Sequence, residues 1–168
     1  ICTPKKPNCS SCPLQKFCVA YIQYDPHNFP KKEMTKINRF QDIGIGIVFN
    51  SKGEVLIDQR LENSSMGGMW EFPGGKFKPR ETPEQCLHRE INEEMGVTLH
   101  IDEKLTVIKH SYTRFKVTLH VFLCRIRSGQ ISPSQCDEWN WVKAEELHTY
   151  PFPAANVKII KNLLKYQV

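Results

Sequence analysis

The apolar positions change period along the chain, and each change marks an element. Ile43-Gly-Ile-Gly-Ile-Val-Phe49 and Val55-Leu-Ile-Asp-Gln-Arg60 are β-branched runs on either side of a Ser-Lys-Gly turn, which predicts two strands. Leu105–Tyr112 and Val117–Arg127 predict two more, the second alternating Val117, Leu119, Val121 and Leu123, and Glu138-Trp-Asn-Trp-Val142 predicts a short strand after them. Between these runs the period lengthens. Leu87, Ile91 and Met95 form a helical stripe behind Thr82-Pro83-Glu84-Gln85, which offers an N-cap, a proline for the first turn and a glutamine for a capping box, while Gly96 suits the C-terminal stop. A helix over Pro83–Met95 follows. A second amphipathic helix is predicted over Ala154–Tyr166, with Val157, Ile160 and Leu164 facing inward. Elements in this order specify an α/β (α+β) domain, a mixed β-sheet sandwiched between helices.

Upstream of residue 41 the pattern fades. Residues 24–40 are basic, broken by prolines and without apolar period, so they read as a linker; residues 1–23 read as a separate loop and 41–168 as the domain. At 168 residues and 40% hydrophobic composition, the chain can bury one good core beside a small appendage. The net charge of +5 is uneven, with Lys31, Lys32, Lys36 and Arg39 gathered in the linker, a run that suits a polyanionic partner and equally a solvated connector. No apolar run is long enough for a transmembrane helix, and no charged-then-apolar leader opens the chain. The expectation is a cytoplasmic protein of the bacterial cytosol or nucleoid, monomeric and away from membranes. Beginning with Ile1 rather than Met, the sequence reads as a piece of a longer one. Its seven cysteines, without secretory signs, argue for thiols or metal ligands over a disulfide framework.

The chemistry concentrates on the first helix. Glu90, Glu93 and Glu94 stand at i, i+3 and i+4, so they project from one face, and three like charges so close call for a hard cation such as Mg²⁺ or Mn²⁺, or for a retained proton. The loop before it, Phe72-Pro-Gly-Gly75, has glycines that let a backbone carbonyl, that of Gly74, turn toward a metal. The whole spacing, Gly75-x5-Glu81-x7-Arg89-Glu90-Ile91-x-Glu93-Glu94-x-Gly96-Val97, resembles the box of the Nudix hydrolases with every specified position filled. The resemblance implies a Nudix fold and metal-dependent hydrolysis of a nucleoside diphosphate linkage. Glu93, Glu94, Glu90, Arg89 and Glu81 would be its catalytic residues, with Arg89 orienting a carboxylate, Glu81 by preference. Water would attack phosphorus, with a glutamate or a hydroxide on the cation as base.

Two further resemblances bear on the ligand. Gly68-Met-Trp-Glu-Phe-Pro-Gly-Gly75 and Phe152-Pro-Ala-Ala-Asn156 resemble the MutT pyrophosphohydrolases, which remove 8-oxo-dGTP. This implies that Asn156 hydrogen-bonds the oxidised guanine, that Phe72 borders the base pocket, that Arg60 approaches the nucleotide, and that Glu138 adds a carboxylate near the metals. Cys2-x6-Cys9-x2-Cys12-x5-Cys18 is a Cys₄ set open to zinc or an iron–sulfur cluster on spacing alone. With its flanking residues it resembles the [4Fe–4S] loop of the MutY adenine glycosylases, which join a glycosylase region through a linker to a Nudix-like domain. His110-Ser-Tyr-Thr-Arg-Phe115 resembles the loop with which that domain approaches 8-oxoguanine in DNA, placing Thr113 at the contacting hydroxyl, although Arg114 stands where a second His is typical. The glycosylase centre would lie before residue 1, so no part of this chain excises a base. Three readings stay open: hydrolysis of 8-oxo-dGTP to 8-oxo-dGMP and pyrophosphate, non-catalytic recognition of 8-oxoG:A in DNA, and hydrolysis of another nucleoside diphosphate substrate.

Overall fold

A computed structural model describes residues 2–3, 6–29, 40–113, 115–134 and 136–166. Most of the basic linker, with Lys31, Lys32, Lys36 and Arg39, lies outside the described residues, as does Arg114. The chain divides into two units, Ile1–Lys36 and Ile37–Val168. In the first, a 3₁₀ turn at Gln15–Phe17, the short helix α1 (Val19–Gln23) and a second 3₁₀ turn at Pro26–Asn28 follow one another, and none of the described residues is buried. Its side chains arrange instead around a cavity of about 350 Å³.

The second unit is built on a seven-stranded mixed sheet. Its strands are β1 (Phe40–Phe49), β2 (Val55–Arg60), β3 (Trp70–Glu71), β4 (Gly74–Lys76), β5 (Thr98–Ser111), β6 (Lys116–Ser128) and β7 (Cys136–Val142). The central strand, β1, runs parallel to β6 from Phe40↔Lys116 to Phe49↔Arg125, while the other pairings are antiparallel. Helix α2 (Pro83–Met95) covers one face and α3 (Ala154–Tyr166) the other. Strand alternation sorts the core accordingly. Ile45, Ile47, Val55, Ile57, Leu119 and Val121 pack with Ile159 and Leu163 of α3; Val48, Leu56, Phe122 and Cys124 pack with Leu87, Ile91 and Met95 of α2. On the α2 side β1 carries Gly44 and Gly46, and a Cβ on Gly44 would stand 3.1 Å from the Pro83 carbonyl oxygen, so the missing side chains set how closely the helix lies.

Helix α2 begins and ends where its caps place it. Thr82 accepts from the Gln85 amide while Gln85 accepts from the Thr82 amide, and Gly96 closes the helix in the left-handed conformation at φ 71°. Past that point Ser132 and Ser134 donate backbone and hydroxyl groups to the last carbonyls of the helix, from Glu93 to Met95. For α3 the inward stripe differs from the expected one. Ala155, Asn156, Ile159, Ile160 and Leu163 are buried, whereas Val157 and Leu164 are exposed. Two stripes of similar period compete on this helix, and the one that wins carries a polar residue, which an apolar pattern alone ranks as outward. Strand β5 begins at Thr98 rather than Leu105, because bulged pairing with β6 extends it through the polar stretch around Asp102 and Glu103. Strands β3 and β4, too short for a periodic signal, exist through their pairing with β2 and β1.

Candidate functional site

A cavity of about 460 Å³ in this unit has a lining of mixed chemistry. Its polar groups include Glu90 and Glu94 of α2, Glu71 of β3, Arg60 of β2 and Asn156 from the first turn of α3, beside the backbone of Gly74 and Gly75 of β4. Tyr112 and Phe115 of the β5–β6 turn and Ile43, Ile45, Val117 and Leu119 of the sheet supply its apolar lining. Close approach of β4 seats the acids. A Cβ on Gly74 would overlap the Gly44 carbonyl of β1, and one on Gly75 would overlap the Glu90 carboxyl, so both glycines are needed to seat strand and acid together.

Arg89 organises the outer side of the acid cluster. Its Nε and Nη2 donate to the two oxygens of Glu81 at 2.7 and 2.8 Å, and its Nη1 donates to Glu90 at 2.7 Å and to Glu93 at 3.2 Å. The Lys76 carbonyl accepts from Nη2 at 3.1 Å. One planar guanidinium thus fixes three carboxylates. Hydrogen bonds from Arg89 and then from the Lys78 amide hold Glu81 down to about 2. The inner side is different. Burial, followed by the charges of Glu90 and Glu71, pushes Glu94 up to about 8 against a hydrogen bond from the Gly74 backbone. Burial likewise raises Glu71, with Arg60 opposing through Nη1 contacts of 2.5 and 2.6 Å to both its oxygens.

Of the residues picked from the sequence, the cavity gathers Glu90, Glu94, Gly74, Arg60 and Asn156. Glu93 is exposed beside the cluster and meets Lys78 at 3.4 Å as well as Arg89. Glu81 stands behind Arg89. Phe72 is 1% exposed and stacks on Phe152 at 5.2 Å, so it supports the wall from within the core. Thr113 and Glu138 are exposed and do not line the cavity, Glu138 being paired with Gln59 at the β2–β7 edge. Asn156 is 7% exposed, and its amide oxygen is buried without a hydrogen-bond partner among the described residues. Sequence reasoning passed over Glu71, Asp58, Tyr112 and Phe115. Asp58 did leave a signal, an acid interrupting an otherwise buried apolar strand. Glu71 left only its place between Trp70 and Phe72.

Both donor sets suit the groups implied for them. Hard carboxylate oxygens on one cavity wall fit a divalent cation, although no three His, Cys, Asp or Glu among the described residues converge on one point as they stand. Cys2, Cys9, Cys12 and Cys18 all line the apolar cavity of the first unit with Tyr21, Pro26 and Phe29. Removal from water, then the neighbouring thiols Cys18, Cys2 and Cys12, raises the Cys9 thiol, a mutual strain that a cluster of metal ions relieves.

A NUDIX domain profile matches residues 44–162, and a profile for the iron–sulfur binding domain of endonuclease III matches residues 2–18. The 8-oxo-dGTP diphosphatase of Haemophilus influenzae is 34% identical over 122 residues, covering 73% of this chain and 90% of that protein. The Escherichia coli enzyme of the same name is 31% identical over 121 residues, covering 72% and 94%. Among solved structures, the MutT protein of Methanosarcina mazei superposes with a TM-score of 0.70 at 27% identity, covering 77% of this chain and 96% of that one.

Proposed function

Because the chain belongs to the Nudix family, with relatives that hydrolyse 8-oxo-dGTP, we propose that its cleft hydrolyses 8-oxo-dGTP to 8-oxo-dGMP and pyrophosphate. One observation carries this reading: a single cavity is lined both by acids suited to a cation and by Asn156, whose buried amide oxygen has no partner among the described residues, with two aromatic rings in the same lining. The cation, Mg²⁺ or Mn²⁺, would neutralise phosphate charge and lower the pKa of water. Glu90, Glu93 and Glu94, with the Gly74 carbonyl, would hold it. Arg89 positions these glutamates, and a glutamate of the set takes the proton from the attacking water as the diphosphate leaves. The Asn156 amide oxygen accepts from N7–H of the oxidised base while its nitrogen donates to O6. Unoxidised guanine, with no proton on N7, leaves that oxygen unpaired. Arg60, on the cavity wall, approaches the nucleotide.

In the first unit Cys2, Cys9, Cys12 and Cys18 would hold an iron–sulfur cluster, a reading supported by their shared cavity and by the endonuclease III profile. That pairing of motifs supports a parent protein of the MutY type. Thr113, exposed on the turn beside Tyr112, would then be open to 8-oxoguanine in DNA.

Incubating the chain with Mg²⁺ and either 8-oxo-dGTP or dGTP, and measuring pyrophosphate, tests the hydrolytic reading. Turnover favouring the oxidised nucleotide is expected. Activity no greater than that of Glu93→Gln/Glu94→Gln would sink it and leave recognition of oxidised DNA, measurable as preferential binding of an 8-oxoG:A duplex at stated salt.

A further inference from the structure

One buried acid has no part in the hydrolysis described above. Asp58 of β2 is 6% exposed, and its Oδ1 is buried with no hydrogen-bond partner among the described residues. A carboxylate in that position needs a positive neighbour or a proton. Its surroundings are mostly acidic. Asp58 stands directly opposite Glu71 of β3 in the antiparallel ladder, so both side chains lie on the face that packs against α2, where Glu94 bears on them. Arg60, two residues along the same strand, shares the face. Its Nη1, however, is engaged with both Glu71 oxygens, and its Nε donates to the Ser65 carbonyl at 2.8 Å.

We propose that Asp58, Glu71 and Glu94 form an inner site for a divalent cation, behind the outer acids Glu90 and Glu93, and that Arg60 holds Glu71 in the ion's stead while the cleft is free of ligand. The proposal rests on the reading of the α2 glutamates as cation holders and adds a second ion deeper in the same cluster. No three acids among the described residues converge as they stand, and Glu71, one of these three, is held by Arg60. An ion entering between Asp58, Glu71 and Glu94 satisfies the unpartnered oxygen of Asp58 and brings two positive charges where Arg60 brings one. It also frees the Arg60 guanidinium, on the cavity wall, to meet the charge of a nucleotide. Asp58 is the residue that separates this site from the outer one, since it faces the cluster from the sheet and does not reach the cavity.

Counting Mn²⁺ bound to the intact chain without nucleotide, by calorimetric titration and by the EPR signal of the free ion, tests the inner site. The unchanged chain is expected to bind more than one ion. Asp58→Asn should lose one of them or bind it about tenfold or more weakly, a loss of the size typical for a changed metal environment. Glu71→Gln, on the cavity wall, should give the same loss should the buried variant fold poorly. Glu90→Gln/Glu93→Gln, which strikes the outer acids, should keep the Asp58-dependent ion. Parental number and affinity in both Asp58→Asn and Glu71→Gln overturn the inner site and leave the hydrolytic reading standing, provided an ion sensitive to Glu90→Gln/Glu93→Gln remains. A parental chain that binds no Mn²⁺ overturns both.

Discussion

Asn156 occupies a position that helix packing ordinarily gives to an apolar residue, on the same buried stripe as Ile159, Ile160 and Leu163. Its amide oxygen has no partner among the described residues, so it contributes little to stability and is open to a donor. Asn156→Ala should therefore leave the thermal midpoint unchanged or slightly raised. The same change should lower kcat/KM for 8-oxo-dGTP by about 10–100-fold, the worth of a buried hydrogen bond, while slow dGTP hydrolysis persists. Equal losses on the two substrates would refute a role in reading the base. The residue type and its Phe-Pro-Ala-Ala-Asn setting were legible in the sequence. Its burial was not, because that depends on which of two competing stripes the sheet selects.

Helix α2 shows how far local signals reach. Capping box, terminal glycine and the Leu87–Ile91–Met95 stripe place it residue for residue, since each signal acts within one or two turns. The direction of each acid on it is a different matter. Glu90 and Glu94 turn into the cavity while Glu93 turns to Lys78 and solvent, because Arg89 and the bare backbone at Gly75 leave room on one side only. A methyl at Gly75 would meet the movable end of Glu90 rather than backbone. Gly75→Ala should thus cost less than about 1 kcal/mol of stability, within the range of a tolerated backbone change, yet reduce turnover about 10–100-fold by displacing Glu90. Retention of full activity with a lowered thermal midpoint would reverse that assignment.

Across the whole molecule, the acid cluster ties stability to pH. Glu94 and Asp58 are both raised to about 8, Asp58 by burial first and then by Glu71 and Glu94. Between about pH 4, where such acids ionise in the unfolded chain, and about 8, the folded chain keeps protons that the unfolded chain has released, so stability falls as pH rises through that window. Glu81 acts with the opposite sign, its contribution being lost only as pH falls toward about 2. In EDTA the thermal midpoint should drop between pH 5 and 8, by about 3–6 °C for each pH unit over which one proton is retained. Mg²⁺ should restore it most at pH 8, where it competes with the fewest protons. A midpoint flat across this range in EDTA would show that these carboxyls are not shielded from water. The longer elements of the domain, their order, the α/β class and the acids of the box were legible in the chain, because period, capping and spacing are properties of neighbours in sequence. Tertiary structure decided the rest. Pairing of β3 with β2 brings Asp58 to Glu71, the approach of β4 to β1 seats Glu90, and α3 carries Asn156 to the same cavity. Burial, unpartnered oxygens and shifted carboxyls arise from residues far apart in the chain sharing one space of low polarity, which no local pattern encodes.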